Sequence, residues 1–301
     1  MIEKFNFYDV YGYFLPGLSL LGLIFLPFGL VKHQWPATEL SSALGAIVFA
    51  YILGHVIQTI AFRAFPSALL DSLGNRRYPS ELFLDHKYPE FSEEFKGSLA
   101  KVVKDAFDID LAIEKAPAKR DDPEFAPISR RRQDAFLLSR GVLIREKIAA
   151  YAEQSQGMYT LMRGLATSFV LGFAYFAGWS LSLFKGECLT ALALVLIVLG
   201  LLSTLVVAAC FLRSKPQVPI WVDRISLMGL MLTSLGVGYL FGLKTVESPL
   251  QARALGVVSI VTIIFALRCF GSYKSFARDF AKAVWRDFAG HRLVPPAAGH
   301  G

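Results

Sequence analysis

The chain has 301 residues, of which 54% are hydrophobic and only 18% charged, and its net charge is +7. A soluble domain carries roughly 25% charged residues, so these values, with a mean hydropathy of +0.47, indicate an integral membrane protein rather than a soluble one. The positive charge is better explained by Lys and Arg on the cytoplasmic side of a membrane than by nucleic-acid binding, and three cysteines without C-x-x-C spacing argue against a metal knuckle or a disulfide framework.

The first predicted membrane span covers residues 11–31, an almost uninterrupted apolar run. Pro16 falls in its first turns, where a proline removes few backbone hydrogen bonds. Glu3 and Asp9 precede the run, so it does not have the positively charged start of a cleavable signal peptide. The connection that follows is short, and the next span is therefore expected to run antiparallel to the first.

The second predicted span, residues 42–62, contains no Asp, Glu, Lys or Arg and is long enough to cross a bilayer as a helix. Small residues recur at every fourth position and predict a helix-packing ridge: Ser42, Ala46, Ala50 and Gly54. Tyr51, His55 and Gln58 form a polar seam on the neighbouring face. Such a helix is typical of a multi-helix bundle.

His55 is the most distinctive polar residue of this span. An ionisable residue inside a membrane helix is a functional candidate by default. The alternative, which the sequence favours, is a neutral imidazole that hydrogen-bonds to a neighbouring helix, with Tyr51 and Gln58 beside it. The less favoured interpretation is that the three residues line a polar pathway.

A polar insert is predicted at residues 64–160. One helical pattern follows Ser92, a plausible N-cap, and a second starts near Gln133 and passes through Phe136, Leu137, Ile144, Ile148 and Tyr151. Between them, prolines and the run Arg130–Arg132 predict a mobile loop over residues 116–132. So few apolar residues suggest that the insert needs the membrane helices or a partner chain to close its core. Asp85 and His86 lack a second His or Cys nearby, so no metal site is expected.

Four further spans are predicted at residues 165–184, 189–212, 225–243 and 254–270. Small residues again mark packing ridges, namely Gly164, Ser168 and Gly172 on the third span and Gly238 and Gly242 on the fifth. The predicted fold is therefore all-α and polytopic, with about six transmembrane helices and a mostly helical cytoplasmic insert.

The last predicted element is an amphipathic helix over residues 272–288. Its apolar arc contains Phe276, Phe280, Val284 and Phe288, and its basic arc contains Lys274, Arg278, Lys282 and Arg286. This composition is typical of a helix that lies on a membrane surface with anionic headgroups, although packing of the apolar arc on the insert is an equal alternative. The predicted division is residues 1–63, 64–160, 161–270, and 271–301, with a disordered tail from residue 293.

A set of short motifs resembles a known class of proteins. These motifs are Tyr8-Asp9-x-x-Gly12-Tyr13-x-x-Pro16-Gly17, then Tyr51-x-x-Gly54-His55, then Tyr159-x-x-x-Arg163. They are similar to those of uncharacterised bacterial multi-pass inner-membrane proteins, some of which are found near anti-phage defence genes. The resemblance covers about the first sixty residues and the start of the third span. It implies a bacterial inner-membrane setting and a membrane effector or sensor.

The sequence carries no phosphate-binding loop, zinc-protease, dinucleotide-binding or EF-hand motif, and no nucleophile elbow. Neither a cofactor nor a metal is expected. We therefore favour a non-enzymatic membrane protein, a channel-like or membrane-perturbing effector or sensor governed by its insert. Its expected partners are the lipid bilayer, further copies of the chain and a cytoplasmic protein. The alternatives are a small-solute transporter, although no inverted repeat is evident, and a membrane-embedded enzyme acting on lipid.

The distribution of basic residues predicts the orientation. Six spans place both termini on one side, and the insert, the segment from Arg213 to Arg224 and the chain after Arg268 fall on that side. The positive-inside rule then puts both termini and the insert in the cytoplasm. A cysteine introduced at Trp35 or Ser248 should react with an impermeant label added outside the cell, and one at Arg120 should not. External labelling at position 120 would overturn this orientation.

Overall fold

The computed structural model describes residues 9–35, 39–65, 69–70, 76–86, 88–113, 123–213 and 220–293. Within this part of the chain the fold is helical, as predicted, apart from one pair of two-residue strands. The first turns, Asp9–Phe14, are π-helical. The strand pair is antiparallel, with Leu69 opposite Arg77 and Leu70 opposite Arg76.

Long helices alternate with short connections along most of the described chain. In chain order the elements are α1 Leu15–Lys32, α2 Leu40–Ala64, β1 Leu69–Leu70, β2 Arg76–Arg77, α3 Pro79–Leu82, α4 Glu93–Phe107, α5 Phe125–Arg145, α6 Ala150–Leu181, α7 Glu187–Arg213, α8 Ile220–Thr245 and α9 Pro249–Leu293. Local signals explain several boundaries. Pro16 lies in the first turn of α1, and Ser92 caps α4 as predicted, with its Oγ accepting a hydrogen bond from the backbone N–H of Phe95 at 3.2 Å.

Five stretches of the described helices are long and apolar enough to cross a membrane. They are Asp9–Lys32, Ser42–Phe62, Ala150–Leu181, Leu227–Thr245 and Pro249–Leu293. In α7 the apolar stretch within the described residues, Glu187–Ser203, is shorter than these. Five candidate spans are consistent with a multi-pass membrane protein, and the predicted sixth span stays a prediction.

The chain divides into two compact units, and each is interrupted in sequence. The apolar unit comprises Met1–Pro66 and Gly157–Tyr273, and the polar unit comprises Ser67–Gln156 and Lys274–Gly301. Helices α6 and α9 contribute residues to both units. The predicted division treated residues 271–301 as a separate element, whereas the structure assigns Lys274 onward to the polar unit. Residues 294–301, where a disordered tail was predicted, lie outside the described residues.

The core of the apolar unit is built around α6. Tyr175, Phe176 and Trp179 are buried together with Leu255 of α9. The ring of Phe28 from α1 meets the indole of Trp179 edge to face, with centroids 5.2 Å apart. Aromatic packing thus joins the N-terminal hairpin to the later spans.

The core of the polar unit depends on the C-terminal part of α9. Val284, Trp285 and Phe288 are fully buried. The indole N–H of Trp285 donates to the carbonyl oxygen of Ser80 at 2.9 Å, and the ring of Phe136 meets the indole at 5.3 Å. Of the two alternatives for this amphipathic helix, the structure favours the second, because Phe280, Val284 and Phe288 of its apolar arc pack in one core with residues of the insert.

The basic arc of the same helix also makes contacts within the polar unit. Lys282 forms an ion pair with Glu90, and the guanidinium of Arg286 lies 5.8 Å from the centroid of the Phe91 ring. Arg278 reaches the Tyr88 hydroxyl at 3.4 Å. Lys274 is exposed. A role at the membrane surface is therefore not needed to explain three of these four charges.

A buried charge network holds β2, the segment after α3 and α5 together. The two carboxylate oxygens of Asp85 accept one hydrogen bond each from Arg77 and Arg132, both at 2.5 Å. Arg132 also donates to the carbonyls of Leu111 and Ala112, at 2.9 and 3.1 Å. Burial lowers the pKa of the Arg132 guanidinium, while Asp85 opposes that effect.

The prediction of a mobile loop over residues 116–132 is wrong for the second half of that range. Residues 114–122 lie outside the described residues, but α5 begins at Phe125 and includes Arg130, Arg131 and Arg132. Pro127 does not prevent this, because it falls in the first helical turn, where its missing N–H has no intrahelical partner to lose. Arg132 is buried because its guanidinium pairs with Asp85. The prolines on which the loop prediction was based give no information about this pairing.

Replacing Arg132 with Met should strongly destabilise the polar unit, because the carboxylate of Asp85 would lose one of its two buried partners. Breaking one side of a buried ion pair costs roughly 3–5 kcal/mol. Arg131 is the matched control: it is adjacent and exposed, and its change to Met should cost no more than about 0.5 kcal/mol. Hydrogen exchange of the full chain in detergent should show faster exchange across α4 and α5 only for Arg132→Met. Equal exchange in the two variants would contradict the role given to the network.

Candidate functional site

The three residues of the predicted polar seam on α2 differ in burial and in their partners. Gln58 is buried, 6% exposed, and its Nε2 donates to the carbonyl oxygen of Thr160 on α6 at 2.8 Å. His55 lies on the exposed side of α2, and Tyr51 is half-buried between them. The interhelical hydrogen bond expected for the seam is therefore made by Gln58, and no described residue hydrogen-bonds to the imidazole of His55.

The contacts of His55 are aromatic. The ring of Tyr13 stacks on the imidazole with centroids 3.9 Å apart and an interplanar angle of 16°. Tyr51 meets it edge-on at 4.7 Å, and the two tyrosine rings are 6.4 Å apart. We call Tyr13, Tyr51 and His55 the aromatic cluster. Tyr13 was not among the predicted site residues, since only the pairing of α1 with α2 brings it to His55.

The backbones of α1 and α2 touch beside this cluster. A Cβ atom added to Gly54 would lie 1.8 Å from the carbonyl oxygen of Tyr13, and one added to Gly17 would lie 1.8 Å from that of Ala50. Neither position can hold a larger residue without separating the helices. The close approach therefore carries Tyr13 over the imidazole of His55.

The predicted ridge on α2 splits into two parts. Ala50 and Gly54 are buried against α1. Ser42 and Ala46 instead line a cavity of about 800 Å³ between the same two helices. The cavity wall is mainly apolar and includes Trp35. The two helices are thus closely packed at Ala50 and Gly54, whereas the cavity separates them at Ser42 and Ala46.

The small residues of α6 lie against α1. A Cβ atom at Gly164 would lie 2.7 Å from Cγ of Pro16, and one at Gly172 would lie 2.8 Å from Cδ1 of Leu23. The hydroxyl of Ser168 donates to the carbonyl oxygen of Pro16 at 3.0 Å. These three positions let α1 and α6 pack closely.

The glycines of α8 lie against α6 in the same way. A Cβ atom at Gly238 would lie 2.1 Å from the carbonyl oxygen of Tyr175, and one at Gly242 would lie 2.3 Å from Oγ of Ser182. The contact is reciprocal, because a Cβ atom at Gly178 would lie 2.1 Å from the carbonyl oxygen of Leu235. All the residues of the ridges predicted on the third and fifth spans therefore lie at helix–helix contacts.

Arg163 lies next to the α2–α6 contact and is 6% exposed. Its guanidinium lies 5.1 Å from the Phe62 ring centroid and 5.9 Å from that of Tyr159, both within the range of a cation–π interaction. Nε of Arg163 and Oε1 of Gln58 are buried and have no hydrogen-bond partner among the described residues. Two aromatic rings thus contact the Arg163 guanidinium, at the start of the predicted third span.

The described residues contain no metal-binding cluster. No group of three His, Cys, Asp or Glu side chains among them could hold a metal ion. Asp85 is occupied by two guanidinium groups, and His86 pairs with Glu93 at 2.5 Å. In the apolar unit, the imidazole of His55 lies on the outer side of α2, and Tyr13 covers one face of the ring.

No protein-family model matches the chain, and no curated protein or solved structure is significantly similar to it.

Replacing Gly54 with Ala should separate α1 from α2, because the new methyl group would overlap the Tyr13 carbonyl. We expect a loss of roughly 1–3 kcal/mol, as for other overpacked sites, and a larger loss for Gly54→Leu. Gly45 is the matched control on the same helix, since nothing lies within 4 Å of its Cβ position. Gly45→Ala should be neutral or stabilising, because alanine favours the helix by about 1 kcal/mol. Thermal unfolding of the purified variants in detergent measures both, and equal midpoints would show that the contact is looser than described.

Proposed function

We propose that the chain is a non-enzymatic bacterial inner-membrane protein that acts as a channel-like or membrane-perturbing effector or sensor. It crosses the membrane six times with both termini in the cytoplasm, it assembles as a homo-oligomer, and its polar unit controls the assembly. The observation that supports this proposal best is the position of His55, on the exposed side of a candidate span.

The surroundings of His55 make a solitary chain in lipid unfavourable. Its neighbours on the outer side of α2, Ile52 and Val56, are large and more than half exposed. Tyr13 covers one face of the imidazole, but no described residue satisfies its nitrogen atoms. Leaving such a polar group in hydrocarbon costs free energy. A second copy that covers this face of α2, with His55 beside a water-accessible path, removes that cost.

The control by the polar unit is supported by the connectivity of the chain. Helices α6 and α9 each contribute residues to both units. A cytoplasmic partner that binds the polar unit would therefore act on segments that are covalently continuous with two candidate spans. We place the sensing step in the polar unit and the response in the apolar unit.

The two alternatives have less support. A transporter with inverted repeats typically pairs interrupted helices in its two halves, but within the described residues the π-helical turn Asp9–Phe14 has no counterpart in α8 or α9. An enzyme acting on lipid requires several polar groups that converge on the substrate. Arg163 and Gln58 lie close in the structure, but neither is a nucleophile or a general base.

The proposal predicts that His55 is required for permeation and not for folding. Proteoliposomes that contain the full chain should release a small trapped anionic dye or collapse an imposed potassium gradient. His55→Phe, which keeps a ring for Tyr13 to stack on, should elute and unfold like the wild type yet lose most of the flux. His55→Gln, which keeps a hydrogen-bonding group, should retain part of it. An active His55→Phe protein would show that His55 has only a packing role.

The oligomer is tested separately. In a background whose cysteines are replaced by alanine, Ile52→Cys should form disulfide-linked dimers in native membranes when an oxidant is added. Leu199→Cys, exposed on α7, is the matched control and should cross-link much less. Equal cross-linking at both positions would remove the argument that the α2 face is covered by a second copy.

A further inference from the structure

We infer that the outer face of α5 docks on the surface of a bilayer that contains anionic lipid. The docking face comprises Leu137, Leu138, Ile144, Ile148 and Tyr151. All five belong to the polar unit. This inference concerns a surface of the polar unit and does not depend on permeation through the apolar unit.

The docking face is apolar and uncovered. Leu137 is 59% exposed, Leu138 46% and Ile144 43%, and beyond the end of α5 Ile148 is 41% and Tyr151 60% exposed. No atom lies within 4 Å of a Cβ position at Gly141, in the middle of this face. Large exposed apolar residues that cluster in this way mark an interaction site more often than an ordinary protein surface.

The opposite side of α5 already has its own partners. Ala135, Phe136, Val142 and Leu143 are buried in the core of the polar unit. Because these residues alternate with the docking face at helical spacing, α5 cannot turn its exposed apolar residues inward without expelling buried ones. The apolar character of the docking face is therefore not a consequence of missing core packing.

The charge around the docking face favours an anionic surface. Arg130, Arg131, Arg145 and Lys147 are exposed beside it, against two exposed acidic residues, Asp134 and Glu146. A helix with exposed apolar residues and flanking basic ones is the usual form of a segment that lies in the headgroup region. Basic groups next to such a surface are attracted to anionic lipids.

A bilayer is favoured over a separate protein partner because it is already present. The described part of the same chain contains five candidate spans, so the polar unit is tethered to a membrane and meets it at a high effective concentration. In the C-terminal helix, Phe280, Val284 and Phe288 of the apolar arc pack in the core of this unit. The docking face, in contrast, is exposed.

The test uses the full chain in a background whose cysteines are replaced by alanine. Leu138→Cys is labelled with an environment-sensitive fluorophore, and Ser98→Cys, exposed on α4, is the control. The protein is reconstituted in phosphatidylethanolamine–phosphatidylglycerol vesicles that contain a lipid with a nitroxide near its headgroup. We expect blue-shifted emission and strong quenching at position 138 and neither at position 98. The quenching should fall in phosphatidylcholine vesicles and when Arg130, Arg131 and Arg145 are changed to Gln.

Three outcomes would overturn the inference. The first is equal quenching at positions 138 and 98, which would leave the docking face in water. The second is a blue shift at 138 that grows with the protein-to-lipid ratio without quenching, which would assign the face to a second copy. The third is quenching that is unchanged in phosphatidylcholine and in the triple Gln variant, which would show that anionic lipid is not recognised. None of these outcomes bears on the flux that tests His55.

Discussion

The backbone contact between α1 and α2 at Gly17 and Gly54 is the constraint on which the candidate site depends. It leaves no room for a Cβ atom on either helix, and it places Tyr13 over His55. One turn further along α2, Gln58 reaches the carbonyl of Thr160 on α6, while Pro16 of α1 receives the hydroxyl of Ser168. Three helices are thus joined through small residues and backbone carbonyls, which suits a setting where apolar burial does not drive helix association.

The polar unit meets a different requirement, because its core is formed by the insert and a second segment far away in the sequence. Part of the solution is the C-terminal half of α9, which brings Val284, Trp285 and Phe288 to the insert. The other part is electrostatic, since Asp85 pairs with both Arg77 and Arg132 inside the unit, and Glu81 brings a second carboxylate to within 3.9 Å of Arg77. Buried charges of this kind are tolerated only when they are paired and hydrogen-bonded, and the carbonyls of Leu111 and Ala112 complete the shell around Arg132.

Exposed apolar residues have different meanings in the two units. On α2 they are what a candidate span presents to lipid or to another copy, and the unusual feature there is the polar imidazole of His55. On α5 the apolar residues are themselves unusual, because their surroundings are charged. The same physical requirement applies to both faces: a polar group needs a polar partner or water, and a large apolar surface needs an apolar partner. The proposed oligomer and the proposed lipid contact each satisfy that requirement for one face.

The sequence by itself determined the helical fold class, five of the six predicted spans as candidate spans, the Ser92 cap and the positions of small residues on helix faces, because composition and periodicity are local properties. Only the tertiary structure decided which partners those faces have. Arg132 is buried by Asp85, 47 positions away, and Trp285 by a segment that includes Ser80, 205 positions away. Tyr13 finds His55 only through the pairing of two helices. The same helical pattern of apolar residues on α5 could have been core or surface, because periodicity identifies a face of a helix but not what lies against it.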